Sequence, residues 1–157
     1  MINKILIANR GEIALRIIRS CQQLGIETVL GVSVADQHST PAKLADSTVL
    51  LGPAPAGDSY LNIDRVIAAA RQCGADALHP GYGFLSEKTA LAEACAANGI
   101  VFVGPAPAHL LAVGDKLRAR HAAAEAGLPL VPGAAISTAV DAEALARSIG
   151  LPVLLKA

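Results

Sequence analysis

The sequence predicts an α/β protein: a doubly wound, mostly parallel sheet followed by the opening elements of a second domain. Three observations carry this expectation. Short apolar strands alternate with amphipathic helices along most of the 157 residues, the order that winds a parallel sheet between helices. Hydrophobic residues make up 53% of the chain and aromatic ones only 3%. The core is therefore built from Ala, Val, Ile and Leu, as suits strands covered on both faces. Finally, Gly25, Gly74, Gly99 and Gly127 each follow a helical pattern, the usual punctuation of a helix end.

The elements follow in order. Lys4 to Ala8 reads as a buried strand. After the break at Gly11, the apolar residues Ile13, Ala14, Ile17, Ile18, Cys21 and Leu24 recur at helical spacing, which predicts a helix from Glu12 to Leu24. Thr28 to Val32 is a second strand, and the polar stretch Asp36 to Ala45, with Pro41, is a loop holding at most a short helix. Thr48 to Leu51 reads as a strand, and Gly52 to Gly57 as a loop rich in Gly and Pro. Asn62 is placed to cap a helix running to Cys73. Ala75 to Leu78 forms the next strand, Ser86 stands as N-cap of a helix from Glu87 to Ala97, and Ile100 to Val103 is a further strand. Pro105 and Pro107 open a helical turn, and Asp115 starts a helix reaching Ala126.

Pro129 to Gly133 marks a boundary, beyond which come a strand near Ala135, a helix from Asp141 to Ile149 and a strand from Val153. The expected division is a first domain over 1–113, a connecting helix over 114–131, and an incomplete second domain over 132–157. Those last elements are too few to close a core, so the rest of that domain is expected elsewhere.

Composition removes several functions. With 13 basic and 13 acidic residues the formal charge is zero, which leaves no basic excess to follow nucleic acid and no charged block for a membrane surface. No stretch has the length of a membrane span, and the first strand is too short for a signal peptide. Cys21, Cys73 and Cys95 are scattered and odd in number, so they read as reduced packing residues, not a metal set. A soluble cytoplasmic protein is expected.

Ligands of open α/β sheets bind beyond the carboxyl ends of the strands. Two segments occupy such positions: Asn9-Arg10-Gly11-Glu12, and the loop His79-Pro80-Gly81-Tyr82-Gly83-Phe84-Leu85-Ser86-Glu87. The first lacks the G-x-G-x-x-G run that a dinucleotide requires. Arg10 and Glu12 fit a solvated turn as well as a site. The second gathers two glycines with one of the two tyrosines and one of the two phenylalanines. Two readings stand: a surface that meets a ligand, or a tight connection in which Tyr82 covers the core. Lys116 follows Gly114-Asp115 at a helix start. A cation sits poorly at that end of the helix dipole unless a phosphate or carboxylate shares the place. Lys156 follows the apolar Val153-Leu154-Leu155, so it either reaches the sheet end or pairs with an anion. Glu12, Arg16, Arg19 and Gln23 share a sector of about 60° opposite the apolar stripe of the first helix. That sector is a solvent face or a polar contact with a second subunit.

Taken together, Lys4 through Ala14, Ser59-Tyr60-Leu61, His79 through Glu87, Val103-Gly104-Pro105, Gly114-Asp115-Lys116 and Leu155-Lys156-Ala157 resemble the biotin carboxylase family, in order and spacing, over nearly the whole chain. The resemblance implies a Rossmann-like pre-ATP-grasp domain that binds no dinucleotide, followed by the start of an ATP-grasp domain. It implies an enzyme that uses ATP and Mg2+ to activate bicarbonate as carboxyphosphate. That enzyme would then carboxylate biotin on a carrier protein or domain, next to a carboxyltransferase component. By the same resemblance Lys116 and Lys156 would contact ATP, and His79, Tyr82, Gly83 and Glu87 would line the biotin side of the cleft. Arg16 and Arg19 match positions that join subunits in bacterial homodimers. No catalytic residue and no metal ligand is expected within this chain, which by itself is expected to be inactive. Gln23, Lys88 and the run Ser33-Val34-Ala35-Asp36 depart from the family pattern. The acyl acceptor stays open among acetyl-CoA (and so fatty acid metabolism), propionyl-CoA, methylcrotonyl-CoA, pyruvate and urea. The alternatives are another ATP-grasp ligase, such as a carbamoyl-phosphate synthase relative, or a non-catalytic short paralogue.

Overall fold

The computed structural model describes residues 1–133, 135–136 and 138–154. The chain divides into two compact units, Met1–Leu111 and Ala112–Ala157. The first is an open parallel sheet of five strands in the order β3-β2-β1-β4-β5. Its strands are β1 (Lys4–Ile7), β2 (Glu27–Ser33), β3 (Ser47–Gly52), β4 (Ala77–His79) and β5 (Val101–Phe102). The helices of this unit are α1 (Gly11–Leu24), α2 (Thr40–Leu44), α3 (Ile63–Gln72) and α4 (Thr89–Ala97), with α5 (Pro107–Val113) at its end.

Side chains of a strand alternate between faces, and the central strand β1 uses both. Ile5 and Ile7 join Ala14, Ile17, Ile18 and Cys21 of α1 in one apolar cluster. Leu6 and Ala8 face the other cluster, with Val66 and Ala70 of α3 and Leu91 and Cys95 of α4. Helices thus cover both faces, as the aliphatic composition requires. Gly25 ends α1 with φ 68°, donating its N–H to the carbonyls of Cys21 and Gln22; a side chain at that left-handed position would be strained. Asn62 caps α3 as expected, its side chain accepting from the Arg65 N–H. The three cysteines are free thiols. Burial raises the pKa of Cys21 and Cys73, and pushes Cys95 up to about 11, which keeps these thiols unreactive near neutral pH.

Three expectations give way. Ser86 is not an N-cap: α4 begins at Thr89, with Lys88 in the capping place. Two successive turns, Ser86 N–H to Gly83 O and Lys88 N–H to Leu85 O, use up residues 83–88 first. Strand β4 begins at Ala77 and not at Ala75; Asp76, just before it, bonds the Lys4 carbonyl through its backbone N–H and accepts from the N–H groups of Asn3 and Lys4 through its carboxylate. In the second unit, helices α6 (Lys116–Glu125) and α7 (Ala139–Ile149) form, yet among the described residues Ala135, Val153 and Leu154 are in no strand. A strand exists only through a hydrogen-bonded neighbour, and the described residues of this unit supply none.

Candidate functional site

Strand order 3-2-1-4-5 puts β1 and β4 side by side where the winding reverses, so the loops leaving both strands meet at one place. That crevice is where open α/β sheets bind ligands. Ile7 pairs with His79, and the Ala8 N–H donates to the His79 carbonyl at 2.9 Å. Asn9 follows with 3% exposure. Its Nδ2 donates to the Pro80 carbonyl at 2.8 Å and to the Tyr82 carbonyl at 2.9 Å. Its Oδ1 accepts from the Arg10 N–H at 2.9 Å.

The His79 loop is folded tightly on this amide. Gly81 has φ 67°, and a Cβ there would stand 2.6 Å from Asn9 Nδ2, so only glycine allows the approach. The Gly81 N–H donates to His79 Nδ1 at 3.0 Å, which leaves the ring proton on Nε2. Burial lowers the His79 pKa from 6.5, so the ring is neutral at pH 7 and can accept that bond. Further on, Phe84 stacks on Tyr60 with ring centroids 5.0 Å apart and planes 11° from parallel, while Leu85 is buried. Between these anchors Tyr82 stands 77% exposed, with Gly83 beside it also exposed.

Tyr60 is the hub on the β2 side. It is buried, donates its hydroxyl to Asp36 Oδ2 at 2.9 Å and accepts from the Ser33 N–H at 3.1 Å. Ser33 Oγ donates to the same Asp36 oxygen at 2.7 Å. Burial first, then the Asp36 carboxylate, pushes the Tyr60 phenol up to about 12, so it stays protonated and donating. Arg10 lies across the two rings, its guanidinium carbon 5.8 Å from Tyr60 and 5.5 Å from Phe84. Its Nη1 is 3.8 Å from Asp36 Oδ2. Half-exposed, this cation contributes through the rings more than through the ion pair. Arg10 therefore has partners, unlike the solvated turn residue that the sequence left open, whereas Glu12 is exposed.

The exposed ring of Tyr82 excludes the reading in which it covers the core; Tyr60 and Phe84 do that. The roles of Asn9, Asp36 and Tyr60 escaped the sequence reading. An amide immediately after an apolar strand, and the second of only two tyrosines, were the available signals. Glu87 is exposed at the loop's end. Arg16 and Arg19 are exposed on α1 with Glu12 and Gln23. Beside the loop, Ile5, Ile13, Ile17, Val103 and Tyr82 line an apolar cleft of about 480 Å³ with Arg16 at its rim.

The helix-end argument for Lys116 does not hold. The Asp115 carboxylate caps α6 by accepting from the N–H groups of Leu117 and Arg118 at 2.9 Å, and these bonds, Arg118 first, lower its pKa. An anion already serves that end, and Lys116 stands exposed beside it. Lys156 lies outside the described residues. Among the described residues, no group of three or more His, Cys, Asp or Glu is placed to hold a metal ion. Among the described residues, no helix is long and apolar enough to cross a membrane.

Comparisons with known proteins agree with this fold. The family described as biotin carboxylase, N-terminal domain, matches residues 1–110. The biotin carboxylase of Halalkalibacterium halodurans is 50% identical over 159 residues, covering 100% of this chain and 35% of that protein. The propionyl-CoA carboxylase alpha chain of Ruegeria pomeroyi is 48% identical, with 100% of this chain and 23% of that protein covered. Among solved structures, the biotin carboxylase domain dimer of Hydrogenobacter thermophilus 2-oxoglutarate carboxylase superposes with a TM-score of 0.90 at 41% identity. That match covers 97% of this chain and 34% of the other, which holds MgADP, ADP and bicarbonate. The chain thus spans about a third of the length of such biotin carboxylases. These relatives are biotin carboxylases or parts of carboxylases, which disfavours the carbamoyl-phosphate synthase reading. With a parallel sheet that lacks a dinucleotide turn, and with a family match that takes in the whole of that sheet, the chain belongs to the biotin carboxylase N-terminal domain family.

Proposed function

We propose that this chain forms one wall of a biotin carboxylase site, presenting Tyr82 and Gly83 to the biotin ring. In the assembled enzyme, the γ-phosphoryl group of ATP would pass to bicarbonate, forming carboxyphosphate and releasing ADP; the carboxyl group would then pass to a ureido nitrogen of carrier-bound biotin as that nitrogen gives up its proton and phosphate leaves. The observation that carries the reading is the preformed loop at the β1–β4 switch point. An exposed aromatic ring and a bare backbone, with nothing within 4 Å of a Cβ at Gly83, fit a compact bicyclic ring that needs one apolar wall and close backbone approach. His79 holds the turn at Gly81, and Glu87 lies at the rim. Magnesium does not fit the described residues, for they contain no acidic cage, and its ligands are proposed to lie in the rest of the carboxylase. Lys116, an exposed ammonium, is proposed to meet the ATP phosphates, as is Lys156 by the family resemblance. Arg16 and Arg19 are proposed to face a second subunit, and a biotin carrier and a carboxyltransferase component complete the partners. Three free thiols fit a reducing, cytoplasmic compartment.

The test is bicarbonate-dependent ATP hydrolysis, stimulated by free biotin, in the carboxylase that carries this domain. Tyr82→Ala is expected to raise the KM for biotin about tenfold and to leave the KM for ATP within about twofold. An enzyme whose ATP hydrolysis ignores both bicarbonate and biotin would overturn the proposal.

A further inference from the structure

We infer that Asn9 is the positioning residue of the biotin-facing loop, an inference that rests on the function proposed above. Both Nδ2 hydrogens of its buried amide are committed, one to the Pro80 carbonyl and one to the Tyr82 carbonyl. These two acceptors flank Gly81, so a single side chain grips the loop on either side of its sharpest turn. The Oδ1 is committed as well, to the Arg10 N–H. Only a carboxamide offers two donors and an acceptor from one short stem. Asp lacks the donors, Ser supplies one, and Ala leaves the buried Pro80 carbonyl and the part-buried Tyr82 carbonyl without this partner. Gly81 is the matching half of the device, since its missing Cβ is what lets the amide lie 2.6 Å from where that atom would be.

The bonds of Asn9 lead to the loop and not to the sheet. Strands β1 and β4 are joined independently, through the Ala8 N–H to the His79 carbonyl and the register Ile5 to Ala77. Removing the amide therefore loosens residues 80–84 while the sheet stays paired. A loop ordered before binding spares the ligand the free energy of ordering it. When the competent arrangement falls to about a tenth of the population, apparent affinity falls about tenfold, with no ligand contact removed.

The experiment pairs two readouts for Asn9→Ala. In the 157-residue chain, amide hydrogen exchange at Gly81 and Ser86, whose N–H groups donate to His79 Nδ1 and to the Gly83 carbonyl, is expected to accelerate about tenfold or more, while the β1 and β4 amides keep their protection. In the carboxylase carrying the domain, the KM for free biotin is expected to rise about tenfold and that for ATP to stay within about twofold. Gly81→Ala attacks the same contact from the other side and gives the same split, so the test survives a misfolded Asn9 variant. Val66→Ala, a cavity on the α3 face, is the control: it lowers stability without separating the two KM values. Unchanged loop exchange, equal changes in both KM values, or a Val66→Ala enzyme showing the same split would each overturn the inference. Loss of biotin-stimulated hydrolysis in the wild-type enzyme would overturn the carboxylase reading and the link to biotin. The exchange comparison needs no activity and decides by itself whether Asn9 holds the loop.

Discussion

At the Tyr60 hydroxyl, the buried Ser33 N–H and the partly buried Asp36 carboxylate meet. Tyr60→Phe keeps the ring stacked on Phe84 and removes only the oxygen, stranding a buried N–H. It is expected to cost about 1–3 kcal/mol, read from urea denaturation; a change near zero would show that Asp36 and Ser33 hold each other without it. His79 works in the opposite sense, through the form it must not take. Its pKa is lowered from 6.5 by burial, so the folded state favours the neutral ring. Its contribution to stability is complete above about pH 6.5 and is lost as the pH falls through the folded value, since the unfolded chain takes up the proton first. Protonation also removes the lone pair that accepts from Gly81. His79→Asn keeps an acceptor and cannot titrate. Between about pH 7.5 and pH 5.5 the wild-type chain is expected to lose more stability than this variant, carboxylate titrations being common to both. Parallel stability curves would show that His79 contributes no pH dependence.

Helix α1 carries the clearest link between pattern and packing. Ala14, Ile17, Ile18 and Cys21 are buried, as their spacing requires, and Ile18 is fully so at 0%. Ile18→Ala leaves a void between α1 and the sheet and is expected to cost about 2–5 kcal/mol in the same denaturation measurement. That helix was legible because periodicity reports one face and Gly25 reports one end. The site was legible only in part. The glycines and aromatics of the His79 loop stood out against an aliphatic background, so its place at a strand end could be read. What held it could not, because Asn9 and Pro80 are 71 positions apart and pattern carries no information about such a pair. Ser86 shows the same limit locally. It has a good capping side chain, but the turns that bury Leu85 come first, and tertiary packing overrides local preference.

For the molecule as a whole, the two units differ in how they are held. Every residue of both apolar clusters lies at or before position 110, whereas α6 of the second unit has no buried residue. Cooperative stability therefore belongs to the first unit, which is also the part that the family matches, residues 1–110. A chain cut after Leu111 is expected to unfold in urea within about 1 kcal/mol of the 157-residue chain, a bound set by ordinary surface changes. The same asymmetry bears on activity. The loop proposed to face biotin lies within this unit, but the described residues offer no acidic cage for magnesium. The chain spans 35% of a carboxylase such as that of Halalkalibacterium halodurans. The 157-residue chain alone is expected to show no bicarbonate-dependent ATP hydrolysis with or without free biotin, while the Gly81 and Ser86 amides remain protected in hydrogen exchange. Turnover by the isolated chain would mean that one wall suffices, and would move the catalytic groups into residues for which the crevice as described shows no such role.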